Sequence, residues 1–314
     1  MSKILCGDAA EVLKTLPQGS ANMCVTSPPY YGLRDYGEEN QIGVECTPQE
    51  YIERLVEVFA EVYRVLTNDG TLWLNIGDMY ANRTWGAVKQ KDLMGIPWTL
   101  AFALRERGWY LRSDIIWHKT NCLPESVKDR PSKCYEHIFL LSKSSKYYYD
   151  YKAIQEPIKE VTAERYKRGR SDNSKYYGKG NDLLQNINRP HDDYSTFDQQ
   201  YRRKRDVWEV STNTYKMDEH LAMFPEKLIE PCILAGSKEG DTVLDPFFGS
   251  GTTGAVAKRL GREYIGIDLN PRYLEKAEMR IAQVIPEKPY GNASDRVEEQ
   301  PREVGGFAEK PQAG

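Results

Sequence analysis

Asp245-Pro246-Phe247-Phe248-Gly249-Ser250-Gly251-Thr252-Thr253 decides the reading of this chain. It follows the apolar run Thr242-Val243-Leu244, which reads as a buried strand, and it leads into residues 254–260, whose spacing predicts a helix. Glycines at 249 and 251 permit a tight turn and close approach of the backbone to a ligand. A helix N-terminus carries partial positive charge and N–H groups without helical partners, so this turn suits a small charged cofactor. Far upstream, Thr26-Ser27-Pro28-Pro29-Tyr30 ends a second apolar run, Asn22-Met23-Cys24-Val25. Its consecutive prolines hold the backbone extended, remove two N–H donors and leave their carbonyls as acceptors. The result is a rigid turn tipped by an aromatic ring.

Outward from these turns, strands and helices alternate. Downstream, Tyr264-Ile265-Gly266-Ile267 predicts a strand ending in Asp268, 23 residues after Asp245, and Pro271 opens a helix to about residue 284. An acid at that strand end is placed to accept ribose hydroxyls, or to cap the Pro271 helix. Upstream, residues 227–234 predict a helix. Near the start, Lys3-Ile4-Leu5-Cys6 predicts a strand and Val12-Leu13 a helix, with Asp8 between them as a ligand residue or a helix cap. Thr47-Pro48-Gln49-Glu50 is a capping box with proline at the first helical position. Tyr51, Leu55, Val58, Val62 and Leu66 continue that helix to a stop at Asn68-Asp69-Gly70. Residues 71–76, 113–117 and 137–141 predict further strands, and Pro97 opens a helix that Gly108 stops.

The 314 residues suffice for about two domains, or one large domain with an insertion. With 43 Lys+Arg against 46 Asp+Glu the net charge is -3, which argues against a uniformly basic nucleic-acid-coating protein but not against one local basic face. Six cysteines are scattered with no CxxC pair, so no metal site is expected. Reduced thiols and no signal-peptide pattern predict a cytoplasmic protein, and no apolar run has membrane-spanning length. Apolar periodicity disappears over about 152–216, where 14 Lys+Arg against 10 Asp+Glu give a local charge of +4. Arg202-Arg203-Lys204-Arg205 is its densest basic run, interleaved in the wider stretch with Tyr166, Tyr176, Tyr177, Tyr194 and Tyr201. One reading is a solvated insertion; the other is a DNA-facing segment combining phosphate contacts with stacking.

Together and in this order, the Ser-Pro-Pro-Tyr and DPFFGSGTT motifs resemble the beta group of amino-methylating DNA methyltransferases. The resemblance covers about residues 3–151 and 207–284, including Tyr31-Gly32-Leu33-Arg34-Asp35-Tyr36-Gly37 and the stretch holding Asp114, Trp117, Lys119, Asn121, Pro124-Glu125-Ser126, Asp129-Arg130 and His137. It implies an α/β fold, a circularly permuted Rossmann-like methyltransferase, with a mainly parallel sheet and helices on both faces. The resemblance assigns a catalytic half (1–151) and a cofactor-binding half (207–285); composition, and no pattern carried over from the family, marks 152–206 as an inserted recognition segment and 286–314 as a loose tail. The resemblance also implies S-adenosyl-L-methionine as cofactor, S-adenosyl-L-homocysteine as product and no metal.

The cofactor would meet Asp8, Phe224, Asp245, Pro246, Phe247, Gly249, Gly251, Thr252 and Asp268, with 220–225 over its methionine end. Ser27, Pro28, Pro29 and Tyr30 would hold a flipped base: the Ser27 hydroxyl and Pro28 carbonyl take its amino hydrogens, and Tyr30 stacks on its ring. Arg202, Arg203, Lys204 and Arg205 would contact double-stranded DNA. A cognate restriction endonuclease and a homodimer are further partners it leaves open. Adenine-N6 members usually carry Asp or Asn before Pro-Pro-Tyr and cytosine-N4 members Ser, so Ser27 favours cytosine N4. Adenine N6, an RNA or protein substrate, and a DNA-binding protein with a degenerate site stand as alternatives. C5 methylation needs a cysteine nucleophile, and Pro231-Cys232 falls in a predicted helix.

Overall fold

The computed structural model describes residues 2–33, 37–38, 40–122, 124–158, 201–212 and 224–287. Ten strands are described: β1 (Lys3–Cys6), β2 (Ala21–Thr26), β3 (Leu66–Ile76), β4 (Tyr110–His118), β5 (Tyr135–Ser142), β6 (Glu156–Pro157), β7 (Tyr201–Arg202), β8 (Val207–Glu209), β9 (Thr242–Asp245) and β10 (Glu263–Asp268). Eight of them form one sheet in the order β1-β10-β9-β2-β3-β5-β4-β8. Within it β5 pairs antiparallel with β3 and β4, and every other described pairing is parallel.

The C-terminal strands β9 and β10 sit between β1 and β2, and Cys6 pairs in register with Asp268. The permutation is visible here, because the two ends of the chain complete one half of the sheet. Chain progress runs from β9 to β10 in one direction and from β2 to β3 in the other. The switch point therefore lies between β9 and β2, where open α/β sheets form their ligand crevice.

Six α-helices are described: α1 (Ala9–Thr15), α2 (Pro48–Val65), α3 (Ile96–Glu106), α4 (Glu226–Gly236), α5 (Thr252–Arg259) and α6 (Pro271–Ala282). Strand alternation shows which face each covers. Cys24, Leu72, Leu74, Ile76, Phe139 and Leu141 pack into one core with α1, α2 and α3. Met23, Val25, Trp73, Ile138 and Leu140 point the other way, into a core with α4 and α5. On that second side α6 packs through Leu274, Ala277 and Ile281 against Phe248 and Ile4. Both faces being buried, the central strands read as unbroken apolar runs.

The capping box forms as the spacing predicts: Thr47 Oγ1 accepts from the Glu50 N–H at 3.2 Å, and Glu50 Oε2 from the Thr47 N–H at 3.3 Å. Its helix ends earlier than expected, at Val65. Leu66 is already extended and opens β3 opposite Ala21, so Asn68-Asp69-Gly70 lies inside the strand rather than at a helix stop. Strand β8 was not anticipated; its Trp208 is buried beside Trp73. The 152–206 segment is bounded by a β6–β7 pair, and Ile154 packs into the second core. Tyr166, Tyr176, Tyr177, Tyr194 and residues 220–223 lie outside the described residues, as does the tail beyond Glu287. Glu287 itself accepts from Arg259 Nη1 at 2.8 Å.

Candidate active site

A cavity of about 340 Å³ opens at the carboxyl edge of the sheet, at the switch point. It brings together Asp8, Ser27, Pro28, Pro29, Tyr30, Phe224, Asp245, Pro246, Phe247, Gly249, Thr252 and Asp268, although positions 30 and 224 are far apart in sequence. Parallel strands explain this convergence: β1, β2, β9 and β10 all end at one edge, and each turn leaves from there.

Asp245 ties the two motifs together. Thr26 Oγ1 donates to its Oδ1 at 2.6 Å, Thr253 Oγ1 to its Oδ2 at 2.5 Å, and the Phe247 N–H to Oδ1 at 3.0 Å. The residue is 1% exposed. Burial pushes its carboxyl up to about 6, against the pull of those three donors. Its oxygens thus face the protein, and Asp245 works as a clamp between β2, β9 and α5.

Asp268 holds the other side of the turn. Its Oδ2 accepts from the Gly249 N–H at 2.7 Å and its Oδ1 from the Asn270 N–H at 2.9 Å. Burial raises its carboxyl from the ordinary aspartate value. Gly249 has a left-handed φ of +51°, and a Cβ there would meet open space, so the turn leaves room above it. Gly251 does not line the cavity: at φ +76° its missing Cβ lets the start of α5 approach Ala277 of α6. Both phenylalanines line the cavity, and Phe248 is also buried over Gly266, where a Cβ would fall 2.4 Å from its ring. Asp8 lines the cavity and also caps α1, accepting from the Glu11 N–H at 3.1 Å.

This end of the cavity fits the cofactor that the resemblance implies. It offers an α5 N-terminus without a side-chain cap, open space above Gly249, an aromatic wall and the carboxylates of Asp8, Glu38 and Asp268.

At the other end lies the Pro-Pro turn. Tyr51 Oη donates to the Pro29 carbonyl at 2.8 Å. Among the described residues nothing donates to the Pro28 carbonyl, and both Ser27 and Pro28 line the cavity. Tyr30 packs its ring over Gly77, where a Cβ would lie 2.7 Å from Cε2. Its Oη donates to Glu136 Oε2 at 2.6 Å. Burial, then the neighbouring Glu136, pushes the Tyr30 phenol well up. Asn75 Nδ2 donates to the same Glu136 oxygen at 3.1 Å, and Lys119 Nζ donates to Oε1. Glu136 and Asn75 line the cavity but were not singled out from sequence. The signal was present: each is a polar residue at the cavity end of a mainly apolar strand, Asn75 after Leu72-Trp73-Leu74 and Glu136, with His137, before Ile138-Phe139.

The basic run does not reach this cavity. Arg202 Nη2 and Lys204 Nζ both pair with Glu156, at 3.2 and 2.9 Å. Arg203 lies 5.1 Å from the Tyr151 ring. Cys232 is buried in α4 with its thiol donating to the Leu228 carbonyl at 3.6 Å, far from the role of a nucleophile. Burial pushes that thiol strongly up. No helix among the described residues is long and apolar enough to cross a membrane.

The N6/N4 methyltransferase family model, described as DNA methylase, matches residues 21–279. Type II methyltransferase M.Cfr9I of Citrobacter freundii is 46% identical over 296 residues, 88% of this chain and 86% of that protein. Type II methyltransferase M.SmaI of Serratia marcescens is 43% identical over 300 residues, covering 89% and 90%. A putative DNA modification methylase from Thermus thermophilus, solved in complex with S-adenosyl-L-methionine, superposes with a TM-score of 0.58 at 26% identity, covering 92% of this chain and 96% of that one. The PvuII cytosine-N4-specific DNA methyltransferase shares the fold, with a TM-score of 0.62 at 20% identity over 88% and 85% of the two chains. A cavity joining the Pro-Pro-Tyr and Gly-Ser-Gly turns across a permuted sheet, and a family match spanning both, lead to one conclusion: this chain belongs to the N6/N4 family of DNA methylases.

Proposed function

We propose that this DNA methyltransferase transfers a methyl group to the N4 amino nitrogen of cytosine in duplex DNA. Ser27 before Pro-Pro-Tyr carries the base assignment. S-Adenosyl-L-methionine supplies the methyl as an electrophilic sulfonium. Asp268 and Asp8 hold its hydroxyl and adenine groups, Phe224, Pro246 and Phe247 flank it, and the turn from Gly249 to Thr252, with Gly251 packed behind, receives its charged end. The target base is flipped out of the duplex, because its amino group is inaccessible to in-line attack within the stack. Ser27 Oγ and the Pro28 carbonyl accept its amino hydrogens, which turns the nitrogen lone pair toward the methyl, and the Tyr30 ring stacks on the base. Positioning of this kind supplies most of the rate in a displacement that needs no covalent intermediate.

Residues 1–151 and 207–285 act as the catalytic and cofactor halves, and 152–206 as the recognition segment. Likeness to Type II methyltransferases supports a restriction endonuclease that cuts the same site, and a cytoplasmic enzyme with access to the chromosome. Methylation-sensitive long-read sequencing of DNA from cells expressing the protein tests the reading. It is supported by modified cytosines in one recurrent sequence and overturned by a methylome identical to that of cells carrying the empty vector.

The basic run contributes phosphate contacts. Alanine at Arg202, Arg203, Lys204 and Arg205 weakens DNA binding, and each lost contact flattens the log–log salt slope by about 0.9. Glu156 already neutralises part of this charge, so the slope change falls short of four contacts. Fluorescence anisotropy across a salt series reads it, and an unchanged slope makes the run a solvated linker.

A further inference from the structure

Glu136 is a charged residue where the sequence has little room for one. It stands at the cavity end of β5, 9% exposed, followed by the buried run Ile138 to Leu141. A carboxylate at that depth persists only when paired and hydrogen-bonded. Both oxygens are engaged: Lys119 Nζ on Oε1, Tyr30 Oη and Asn75 Nδ2 on Oε2. Asn75 Nδ2 is itself braced by the His137 carbonyl at 3.1 Å. The other charged groups near this cluster are Lys133, which donates to the Asp78 carbonyl at 2.5 Å, with Asp78 and Glu125.

Tyr30 connects this carboxylate to the base site. Ser27 Oγ donates to Tyr30 Oη at 3.4 Å, and Tyr30 Oη donates to Glu136 Oε2 at 2.6 Å. All donors in this chain point one way, from the Ser27 hydroxyl to a buried carboxylate held against an ammonium. The first contact is long for two hydroxyls, and such contacts tighten when the site fills. The phenol keeps its proton in this environment, so it stays a donor to Glu136.

We propose that Glu136 is the proton acceptor of the methyl transfer, reached from the base through Ser27 and Tyr30. This rests on the Ser27–Tyr30 turn being the base site. As the lone pair of the amino nitrogen forms the new N–CH₃ bond, the S–CH₃ bond breaks and its electron pair stays on sulfur, leaving a neutral thioether. The nitrogen then carries one proton too many. That proton passes to Ser27 Oγ, the Ser27 hydroxyl proton to Tyr30 Oη, and the Tyr30 proton to Glu136 Oε2. The base leaves as a neutral methylamino group and Glu136 as a neutral acid. Lys119 beside Oε1 favours return of the carboxylate, so the proton is released to water in the open cavity and the hydroxyls rotate back. Tyr30 has two roles here, a stacking face and a proton relay, and Glu136 needs no direct contact with the base.

Glu136→Gln and Tyr30→Phe test this. Gln keeps an acceptor for the phenol but takes up no proton; Phe keeps the ring but breaks the relay. In single-turnover reactions both lower the methylation rate about 100-fold or more, the range for a lost general base. S-Adenosyl-L-homocysteine affinity by calorimetry, DNA affinity by anisotropy and the thermal midpoint stay near wild type. Formate restores rate to Glu136→Ala. A Glu136→Gln rate within threefold of wild type overturns the proposal, as does a rate loss accompanied by an equal loss of DNA affinity. Should Glu136→Gln fail to fold, Tyr30→Phe decides alone: full activity breaks the relay, a 100-fold loss supports it. Wild-type protein that methylates no base amino group overturns the base-site reading instead, and the relay with it.

Discussion

Tyr30→Ala lowers methylation by at least about 100-fold while leaving affinity for S-adenosyl-L-methionine within about twofold. Two losses combine. Base stacking on an aromatic ring contributes about 1–3 kcal/mol, and without it the extruded base is held only by its amino hydrogens. The second loss is orientation: the ring that packs over Gly77 and reaches Glu136 is gone, so Ser27 loses a neighbour at its hydroxyl. A misplacement of about 1 Å at the reacting atoms is enough for a 100-fold loss. The cofactor end is untouched, because its turn is fixed by Asp245, Asp268 and the α5 start rather than by Tyr30. Labelled-methyl transfer into DNA and calorimetry of cofactor binding read the two effects separately. Equal losses in both would mean that the Pro-Pro-Tyr turn shapes the cofactor site instead.

Asp268→Ala has the opposite signature. Its carboxylate already accepts two backbone N–H groups, yet each oxygen has a second lone pair and the residue lines the cavity. Replacement removes an acceptor for cofactor hydroxyls and also releases Gly249, whose left-handed turn Asp268 holds down. Cofactor affinity falls by about 1.5–3 kcal/mol, or about 10- to 150-fold. Calorimetry on folded protein reads it, and unchanged affinity would leave Asp268 as a brace for the turn alone.

The turn chemistry was legible from sequence because it is local. Glycines, prolines and a capping box act within a few residues, and the apolar run before each motif announces a strand buried on two faces. What escaped is set by partners distant in sequence. Asp245 reads as a cofactor residue, but its carboxylate turns inward because Thr26, from a strand 219 positions earlier, supplies a donor. Glu136 and Asn75 are polar residues at the ends of mainly apolar strands, and only the pairing of β3 with β5 brings them together at Tyr30. The basic run shows its charge in sequence but not Glu156, which neutralises part of it across the β6–β7 pair. The end of α2 was misplaced because Asn68-Asp69-Gly70 is a stop signal that strand pairing from Leu66 overrides.

The central claim is that the Ser27–Tyr30 turn presents a cytosine amino group to a methyl donor held at the Asp245–Thr253 turn. Its most direct test is mass spectrometry of nucleosides from duplex DNA treated with purified protein and methyl-deuterated S-adenosyl-L-methionine. The account predicts N4-methyldeoxycytidine carrying the deuterated methyl, absent from Ser27→Ala reactions. Labelled N6-methyldeoxyadenosine without labelled cytidine would contradict the base assignment while leaving the fold and cofactor site standing, and DNA without label in any nucleoside would contradict the account itself.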